Sequence, residues 1–259
     1  MPDGSRFGNA ELIRSIPTDM SKRLILALDV PTVDEARTII RQLDGTISFF
    51  KIGMWLLFKK ETDALIDELI ADGKQVFLDY KMFDIGETVK RGVESAANRG
   101  ISFVTVHGDE LIMKAAIEGK ANSPLKVLAI TVLTSLNDQA LAEMGYRLTV
   151  EQLIELRVKT AIRCGCDGII ASAKDDPDHI RRMASTESLL IATPGVRLPG
   201  AATDDHMRSA DPATAIRKGA DYLVVGRPIL SAADRLQEAT LFVQEMERGW
   251  RERSAGRDG

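Results

Sequence analysis

Short apolar runs recur along the chain, and the segments between them carry apolar residues at helical spacing. The runs are nearly continuous and rich in β-branched residues, whereas intervening segments such as TVDEARTIIRQL and ETDALIDELIADG are amphipathic and end near glycine. This alternation is typical of a parallel sheet buried on both faces by helices. The pattern predicts eight strands: Leu24–Leu28, Ser48–Ile52, Val76–Leu78, Phe103–Val106, Val127–Thr131, Gly168–Ala171, Leu189–Ala192 and Tyr222–Val225.

Eight strand–helix units in 259 residues predict an α/β protein with a single-domain (β/α)8 TIM barrel. A doubly wound sheet is the alternative, but it typically has fewer strands and a glycine-rich first turn, and LDVPTVDEA has no such motif. We expect an N-terminal extension over residues 1–21, a catalytic barrel over 22–245 and a polar C-terminal tail over 246–259. The last residues, RGWRERSAGRDG (248–259), are expected to fray in solvent rather than to bind nucleic acid.

Composition narrows the class of protein. A net charge of -4 with 28% charged residues gives no polyanion-binding surface, so nucleic acid is not an expected partner. The N-terminus has no apolar signal-peptide core and no run reaches the roughly 20 residues of a membrane helix. Cys164 and Cys166 are too close for a typical structural disulfide, and three histidines suggest no metal cluster. We therefore expect a reduced, cytoplasmic protein in which both cysteines are packing residues.

Charges of both signs crowd the run VFLDYKMFDIGETV, directly after a short apolar strand. Because side chains alternate along a strand, Asp79 and Lys81 should point the same way, with Asp84 and Thr88 just beyond the strand end. Isolated buried charges are costly, so such a cluster indicates function. A solvated salt bridge on a loop is the alternative, but Asp79 directly continues the apolar run.

Active sites of this fold lie at the C-terminal ends of the strands. Taken singly, each polar residue there has a simpler explanation, such as Asp29 helping to start a helix. Taken together, their convergence on one mouth is hard to explain as packing. The polar residues at or just after the predicted strand ends are Asp29, Lys51, Asp79, Lys81, Asp84, His107, Thr134, Ser135, Thr193, Arg197 and Arg227.

The end of the eighth strand carries a second signal. Gly226 and Arg227 follow the apolar run, and Pro228 can open a helix. Glycine lets backbone N–H groups approach an anion, and the loops after strands seven and eight commonly bind phosphate in this fold. An arginine fork suits phosphate oxygens. The segment therefore favours a phosphorylated substrate over a tight turn with an exposed arginine.

These motifs resemble one family. The segment DYKMFDIGETV, Asp79 to Val89, resembles the D-x-K-x-x-D-I-x-x-T-V signature of the orotidine 5'-phosphate decarboxylase family. The resemblance runs from about residue 23 to 235 through LALDV, FFKIGM, ITVLTS, ATPGVR and VVGRPI, in matching order and spacing. D-x-K-x-x-D alone is shared with sugar-phosphate enzymes, so the additional motifs carry the specificity.

The resemblance implies decarboxylation of orotidine 5'-monophosphate to uridine 5'-monophosphate and CO2, the final step of de novo pyrimidine nucleotide synthesis, with no cofactor and no metal. It implies a charge network of Lys51, Asp79, Lys81 and Asp84, in which Lys81 protonates the carbanion left by CO2. It also implies a homodimer with shared active sites, into which Asp84 and Thr88 of a neighbouring subunit reach. The implied substrate-binding residues are Asp29, Lys51, Asp79, Ile85, Thr88, Thr134, Pro194, Arg197, His206, Gly226 and Arg227.

The chain departs from the family pattern at two positions. His206 stands where the family usually has a glutamine in a mobile lid, here expected in LPGAATDDH after Arg197. Histidine can donate a similar hydrogen bond, and an exposed loop histidine is the alternative. Gly86 stands where proline is common.

Two other functions remain open. One is a metal-dependent phosphosugar decarboxylase or synthase of the same barrel superfamily, such as a 3-keto-L-gulonate 6-phosphate decarboxylase or a hexulose phosphate synthase. Those relatives have a carboxylate where Lys51 stands, which favours the metal-free reading. The other is a non-catalytic nucleotide-binding barrel, against which the presence of both Asp79 and Lys81 argues.

Overall fold

The computed structural model of the chain describes residues 17–172, 175–184, 188–200 and 210–255. Its parallel strands follow one another in chain order and close into a barrel, because the first strand pairs with both the second and the last. The predicted (β/α)8 barrel is thus confirmed. The strands are β1 Leu24–Ala27, β2 Phe49–Ile52, β3 Gln75–Met82, β4 Phe103–Val106, β5 Lys126–Ile130, β6 Gly168–Ile170, β7 Leu190–Pro194 and β8 Tyr222–Val225.

At least one helix follows every strand and covers the outside of the barrel. These connections carry the chain back so that all strands run in the same direction, which places all of their C-terminal ends at one mouth. The helices are α1 Val33–Gln42, α2 Met54–Leu57, α3 Thr62–Ala71, α4 Gly86–Asn98, α5 Glu110–Lys120, α6 Asp138–Glu143, α7 Val150–Cys164, α8 Pro177–Ala184, α9 Pro212–Arg217, α10 Arg227–Leu230 and α11 Arg235–Ala255.

Local sequence explains where the long helix α7 begins and ends. The Thr149 side chain accepts a hydrogen bond from the Gln152 N–H, and the Gln152 side chain accepts one from the Thr149 N–H. This reciprocal capping satisfies two amides that the first helical turn leaves without partners. Gly165 then ends the helix in the left-handed region, at φ 80°, where glycine avoids the steric cost of a side chain.

Aromatic rings fill the lower part of the barrel interior. Phe49, Phe103 and Tyr222 pack edge to face, with the Phe49 and Phe103 ring centroids 4.9 Å apart and those of Phe103 and Tyr222 5.1 Å apart. Phe77 adds a further edge contact to Phe103. The rings fill this part of the barrel interior, so the space that remains open at the C-terminal ends of the strands lies above them.

The C-terminal segment differs from its prediction. Helix α11 continues to Ala255, so the expected fraying of residues 248–259 is wrong as far as the structure describes that segment. Met246 is fully buried, and a Cβ at Gly249 would lie 2.2 Å from the Ala213 carbonyl oxygen. The absent side chain at Gly249 lets α11 and α9 touch backbone to backbone.

The start of the described chain packs against the same helix. Residues Met20–Arg23 form a 3-10 turn directly before β1, and the Arg23 guanidinium lies 4.4 Å from the centroid of the Trp250 ring. Burial lowers the pKa of Arg23, although the Asp221 charge opposes the shift. Of the predicted N-terminal extension, residues 1–16 lie outside the described part of the chain.

Both cysteines lie before β6, at the end of the barrel away from the mouth, as the sequence indicates. Cys166 is buried, and burial raises the pKa of its thiol to about 12. A thiol with so high a pKa stays protonated at neutral pH and is a poor nucleophile. Separately, no helix in the described ranges has the length and apolar character needed to cross a membrane.

Candidate active site

A cavity of about 370 Å³ opens at the C-terminal ends of the strands, above the aromatic rings. Its floor is apolar and includes Phe77, Ile170 and Val224, whereas charged and polar groups lie around its wall. Most of the site residues expected from the sequence line it. They are Asp29, Lys51, Asp79, Lys81, Thr134, Pro194, Arg197, Gly226 and Arg227.

A larger cleft of about 770 Å³ lies elsewhere, beside α7 and α8. Carboxylates such as Asp138, Glu151 and Glu155 line it, and its described lining contains no lysine or arginine. A phosphorylated or carboxylated substrate would meet like charge there, whereas the smaller cavity offers four cationic side chains. Charge therefore favours the smaller cavity for an anionic ligand.

The strand pleat explains how the charges reach the cavity. Residues two apart on a strand share a face, and the Phe77 ring points into the barrel. Asp79 is two residues beyond Phe77, and Lys51 is two residues beyond the inward-facing Phe49. The two neighbouring strands thus each present an aromatic ring to the core and, one step nearer the mouth, a charge to the cavity.

Asp79 lies between two ammonium groups. Its Oδ2 is 3.3 Å from the Lys51 Nζ, and its Oδ1 accepts a hydrogen bond of 2.9 Å from the Lys81 Nζ. Lys51 also lies 3.3 Å from the Asp29 Oδ1, so its ammonium is shared by two carboxylates. Only 10% of the Lys51 side chain is exposed, against 43% of the Lys81 side chain. Of the two lysines, Lys81 is therefore the one that is open to a ligand.

The charge state of Asp79 follows from these neighbours. Burial alone would raise the pKa of its carboxyl group. The charges of Lys51 and Lys81, with hydrogen bonds from Lys81 and Thr105, outweigh burial and hold the pKa below its usual value of 3.8. Asp79 is therefore a carboxylate at neutral pH, and the cluster of Asp29, Lys51, Asp79 and Lys81 carries two positive and two negative charges.

Strand β3 is irregular where it carries Asp79 and Lys81. Its pairing with β4 passes from Leu78 opposite Val104 to Met82 opposite Val106, so three residues of β3 face one residue of β4. Lys81 itself has φ 49°, in the left-handed region that a side chain disfavours. Strand β3 also extends to Met82, beyond the predicted end at Leu78. Asp79 and Lys81 meet through this bulge rather than through a regular pleat.

Sequence reasoning missed Thr105, the β4 residue opposite the bulge. Its hydroxyl accepts a hydrogen bond from the Lys81 N–H and donates one to the Asp79 Oδ1, both at 2.9 Å. A usable signal was present: Thr105 follows the inward-facing Phe103 by two residues, as Asp79 follows Phe77. Because threonine is common in β-strands, its presence at position 105 does not by itself indicate a role in the site.

Gly53 was also missed. A Cβ there would lie 3.1 Å from the Lys51 Nζ and 3.7 Å from the Asp29 Oδ1. Real Cβ atoms rarely make so close a contact, so glycine leaves room for the buried ammonium group.

Asp84, Ile85 and Thr88 do not join the cluster. All three are exposed, with 73% of Ile85 accessible, and the described cavity lining includes none of them. The Asp84 carboxylate accepts the Ile85 N–H at 2.7 Å, and Thr88 lies in the first turn of α4. Their position just beyond the strand end agrees with the sequence expectation, but within one chain they face outward.

The opposite side of the cavity is built from the ends of β7 and β8. Gly195 has φ 79°, a left-handed conformation suited to glycine, and follows Pro194 at the end of β7. Gly226 precedes the short helix α10, whose first residue is the exposed Arg227. The Arg197 guanidinium also lines the cavity and donates to the Val196 carbonyl at 2.9 Å.

His206 and most of the expected lid lie outside the described residues. Only the segment 198–200 of that lid is described.

A family model described as the orotidine 5'-phosphate decarboxylase / HUMPS family matches residues 22–242. An orotidine 5'-phosphate decarboxylase of Caulobacter vibrioides strain NA1000 is 45% identical over 226 residues, covering 86% of this chain and 97% of the relative. One of Rhodopseudomonas palustris strain BisA53 is 45% identical over 230 residues, covering 89% and 97%. The similarity therefore extends over almost the whole of these relatives.

Among solved structures, the crystal structure of orotidine 5'-phosphate decarboxylase from Lactobacillus acidophilus superposes with a TM-score of 0.76 at 31% sequence identity. The match covers 87% of this chain and 99% of that one. The barrel architecture is thus shared along essentially the full length of the relative.

The pKa of Asp79 leads to a prediction for stability. Because the folded-state pKa is depressed, the Asp79 charge contributes stability that is fully present above the unfolded pKa of about 3.9 and is lost as pH falls through the folded pKa. The difference in free energy of unfolding between wild type and Asp79→Asn should be constant from about pH 8 to 5 and should change only below about pH 4. Urea denaturation at each pH measures it, and a difference already changing above about pH 5 would contradict the depressed pKa.

Proposed function

Because the chain belongs to the orotidine 5'-phosphate decarboxylase / HUMPS family and is a carboxy-lyase, we propose that it converts orotidine 5'-monophosphate to uridine 5'-monophosphate and CO2 without a cofactor, with Lys81 as the proton donor. This would be the last step of de novo pyrimidine nucleotide synthesis, in the cytoplasmic setting that the cysteine content favours. The observation that carries the proposal is the Lys81 ammonium, held 2.9 Å from the Asp79 carboxylate and open to the cavity.

The chemistry requires a cation at that place. When the bond to the carboxylate breaks, its electron pair stays on the ring carbon and CO2 leaves. An ammonium fixed beside that carbon stabilises the developing negative charge, because a preorganised charge in a partly dry site needs no reorganisation. Lys81 then gives a proton to the carbon, and solvent returns a proton to the lysine. Asp79 holds the Lys81 ammonium in place through the hydrogen bond between them.

The rest of the substrate fits the remaining wall of the cavity. Arg227, the backbone at Gly226 and Arg197 would bind the 5'-phosphate at the ends of β7 and β8. Asp29 and Lys51 would hold the ribose hydroxyls. Pro194 would lie against the base and Thr134 at its edge, and His206 would donate a lid hydrogen bond if the family pattern extends to it.

A metal-dependent relative is the second candidate. In this chain the Lys51 ammonium lies 3.3 Å from carboxylate oxygens of both Asp29 and Asp79, the position between two acids where a divalent cation would be expected. A cation already fills that place, which supports cofactor-free chemistry. Among the described residues there is also no group of three potential metal ligands.

We further propose a homodimer whose active sites are shared. Phe58, Phe83, Ile85 and Leu111 are each at least 67% exposed and lie just after β2, β3 and β4, beside the cavity. Large apolar side chains exposed after three neighbouring strands favour a protein–protein interface at this face. Two-fold pairing through it would carry the outward-facing Asp84, Ile85 and Thr88 of one protomer towards the other protomer's cavity.

Lys81→Ala should lower decarboxylation of orotidine 5'-monophosphate by at least about 1,000-fold, because it removes both the proton and the positive charge. Turnover is followed by substrate absorbance in excess EDTA, with the surface variant Lys159→Ala as the control. Calorimetry should show that Lys81→Ala still binds uridine 5'-monophosphate. Wild-type activity that disappears in EDTA would favour the metal-dependent relatives, and binding without turnover would favour the non-catalytic barrel.

Arg227→Ala should lower kcat/KM for orotidine 5'-monophosphate by about 10- to 100-fold, because it removes charge-assisted hydrogen bonds to phosphate. The same variant should leave kcat/KM for orotidine, which has no phosphate, within about 2-fold of wild type. Arg251→Ala, an exposed arginine on α11, is the matched control. Equal losses on both substrates would show that Arg227 does not bind the phosphate.

Mixing two inactive variants tests the shared site. If each site takes Lys81 from one protomer and Asp84 from the other, a mixed dimer of Lys81→Ala and Asp84→Ala contains one fully intact site. Random exchange makes half of the dimers mixed, so the mixture should recover roughly a quarter of wild-type activity. A mixture as inactive as its components, after exchange has been shown by mass spectrometry, would place each site within one chain.

A further inference from the structure

Thr105 is fully buried on β4 and lies opposite the bulge of β3. The three β3 residues from Asp79 to Lys81 face this single residue, so the ordinary backbone ladder is interrupted there. A side-chain hydroxyl takes the place of a backbone acceptor, because the Lys81 N–H donates to the Thr105 Oγ1 rather than to a carbonyl. The Thr105 hydroxyl therefore supplies the missing hydrogen-bond acceptor for the backbone of Lys81, the proposed proton donor.

The direction of both hydrogen bonds is fixed by chemistry. A backbone N–H can only donate, so the Thr105 oxygen must accept from Lys81. A hydroxyl has one proton, and here a carboxylate, which can only accept, lies 2.9 Å away. The hydroxyl proton is thus directed to the Asp79 Oδ1, and both capacities of Thr105 are used within the charge cluster.

The contacts close a ring around Lys81. Its ammonium donates to the Asp79 Oδ1, the same oxygen that accepts from Thr105, while its backbone amide donates to Thr105. Both ends of the lysine are therefore fixed relative to one carboxylate oxygen. Its backbone is in the left-handed region, a conformation that persists only when surrounding contacts enforce it.

We infer that Thr105 is a positioning residue for decarboxylation, which fixes the backbone of Lys81 and the carboxylate of Asp79 so that the ammonium points at the reacting carbon. This inference rests on the proposed function. Thr105 is not part of the cavity lining, so it acts through Asp79 and Lys81, which are. Its removal should therefore impair the chemical step more than substrate binding.

The decisive variant is Thr105→Val, which keeps the shape of the side chain and removes the hydroxyl. We expect kcat to fall about 10- to 100-fold while KM and the Kd of uridine 5'-monophosphate stay within about 3-fold. Thr105→Ser restores the hydroxyl and should return kcat to within about 3-fold of wild type. Thr105→Ala removes the same hydroxyl with less crowding and should match the valine variant even if that one folds poorly.

Thr131→Val is the matched control. Thr131 is also fully buried near a strand end, and its hydroxyl donates to the Ile170 carbonyl at 2.9 Å, away from the charge cluster. The Thr131→Val variant should lower Tm as much as Thr105→Val does but leave kcat unchanged.

Three results would overturn the role of Thr105: a Thr105→Val enzyme with kcat within about 2-fold of wild type, a serine variant as slow as the valine variant, or an equal kcat loss in Thr131→Val. Wild-type turnover in the same series separates the two proposals. An inactive wild type overturns the proposed function, whereas an active wild type with an unimpaired Thr105→Val overturns only the positioning role.

Discussion

The Asp79 carboxylate, shielded from water and held between two ammonium groups, is the interaction on which the rest of the site depends. Its two oxygens face Lys51 at 3.3 Å and Lys81 at 2.9 Å, and the Thr105 hydroxyl adds a third contact. None of the three charged side chains would be favourable alone in a partly buried position, because an unpaired buried charge is strongly destabilising. Strands β2, β3 and β4 each supply a member of the cluster, so it exists only once that side of the barrel has closed.

Sequence periodicity was sufficient for the barrel and for the charges that follow its strands. Lys51 and Asp79 are recognisable because they interrupt apolar strands at inward-facing positions. The bulge that orients Lys81 could not be foreseen, since a hydrophobic pattern records which face is buried but not how neighbouring strands pair. The helical continuation past Met246 was missed for a related reason: its contact with α9 depends on the missing side chain of Gly249, and a hydropathy pattern does not register that.

One short motif serves two surfaces. Asp79 and Lys81 belong to the cavity, whereas Asp84, Ile85 and Thr88 lie on the outside of the same chain only a few residues later. The strand ends at Met82, and the chain then turns away into α4. Linear spacing placed Asp84 and Thr88 beyond the strand end but did not show that they face away from the cavity of their own chain. The cavity itself is divided as well, with charges from β2 and β3 on one side and the glycine and arginine ends of β7 and β8 on the other, as a ligand with two anionic ends requires.

The backbone of Lys81 sets stability against activity. Position 81 has φ 49°, which glycine adopts freely and lysine does not, so the residue that the fold would prefer there lacks the ammonium that the proposed reaction uses. Active-site residues commonly lower the stability of the fold, and here that cost arises from a single backbone φ angle. If selection for the proposed reaction were relaxed, selection for a stable chain would therefore favour loss of the lysine. The barrel would then lose its proposed proton donor before it lost its fold.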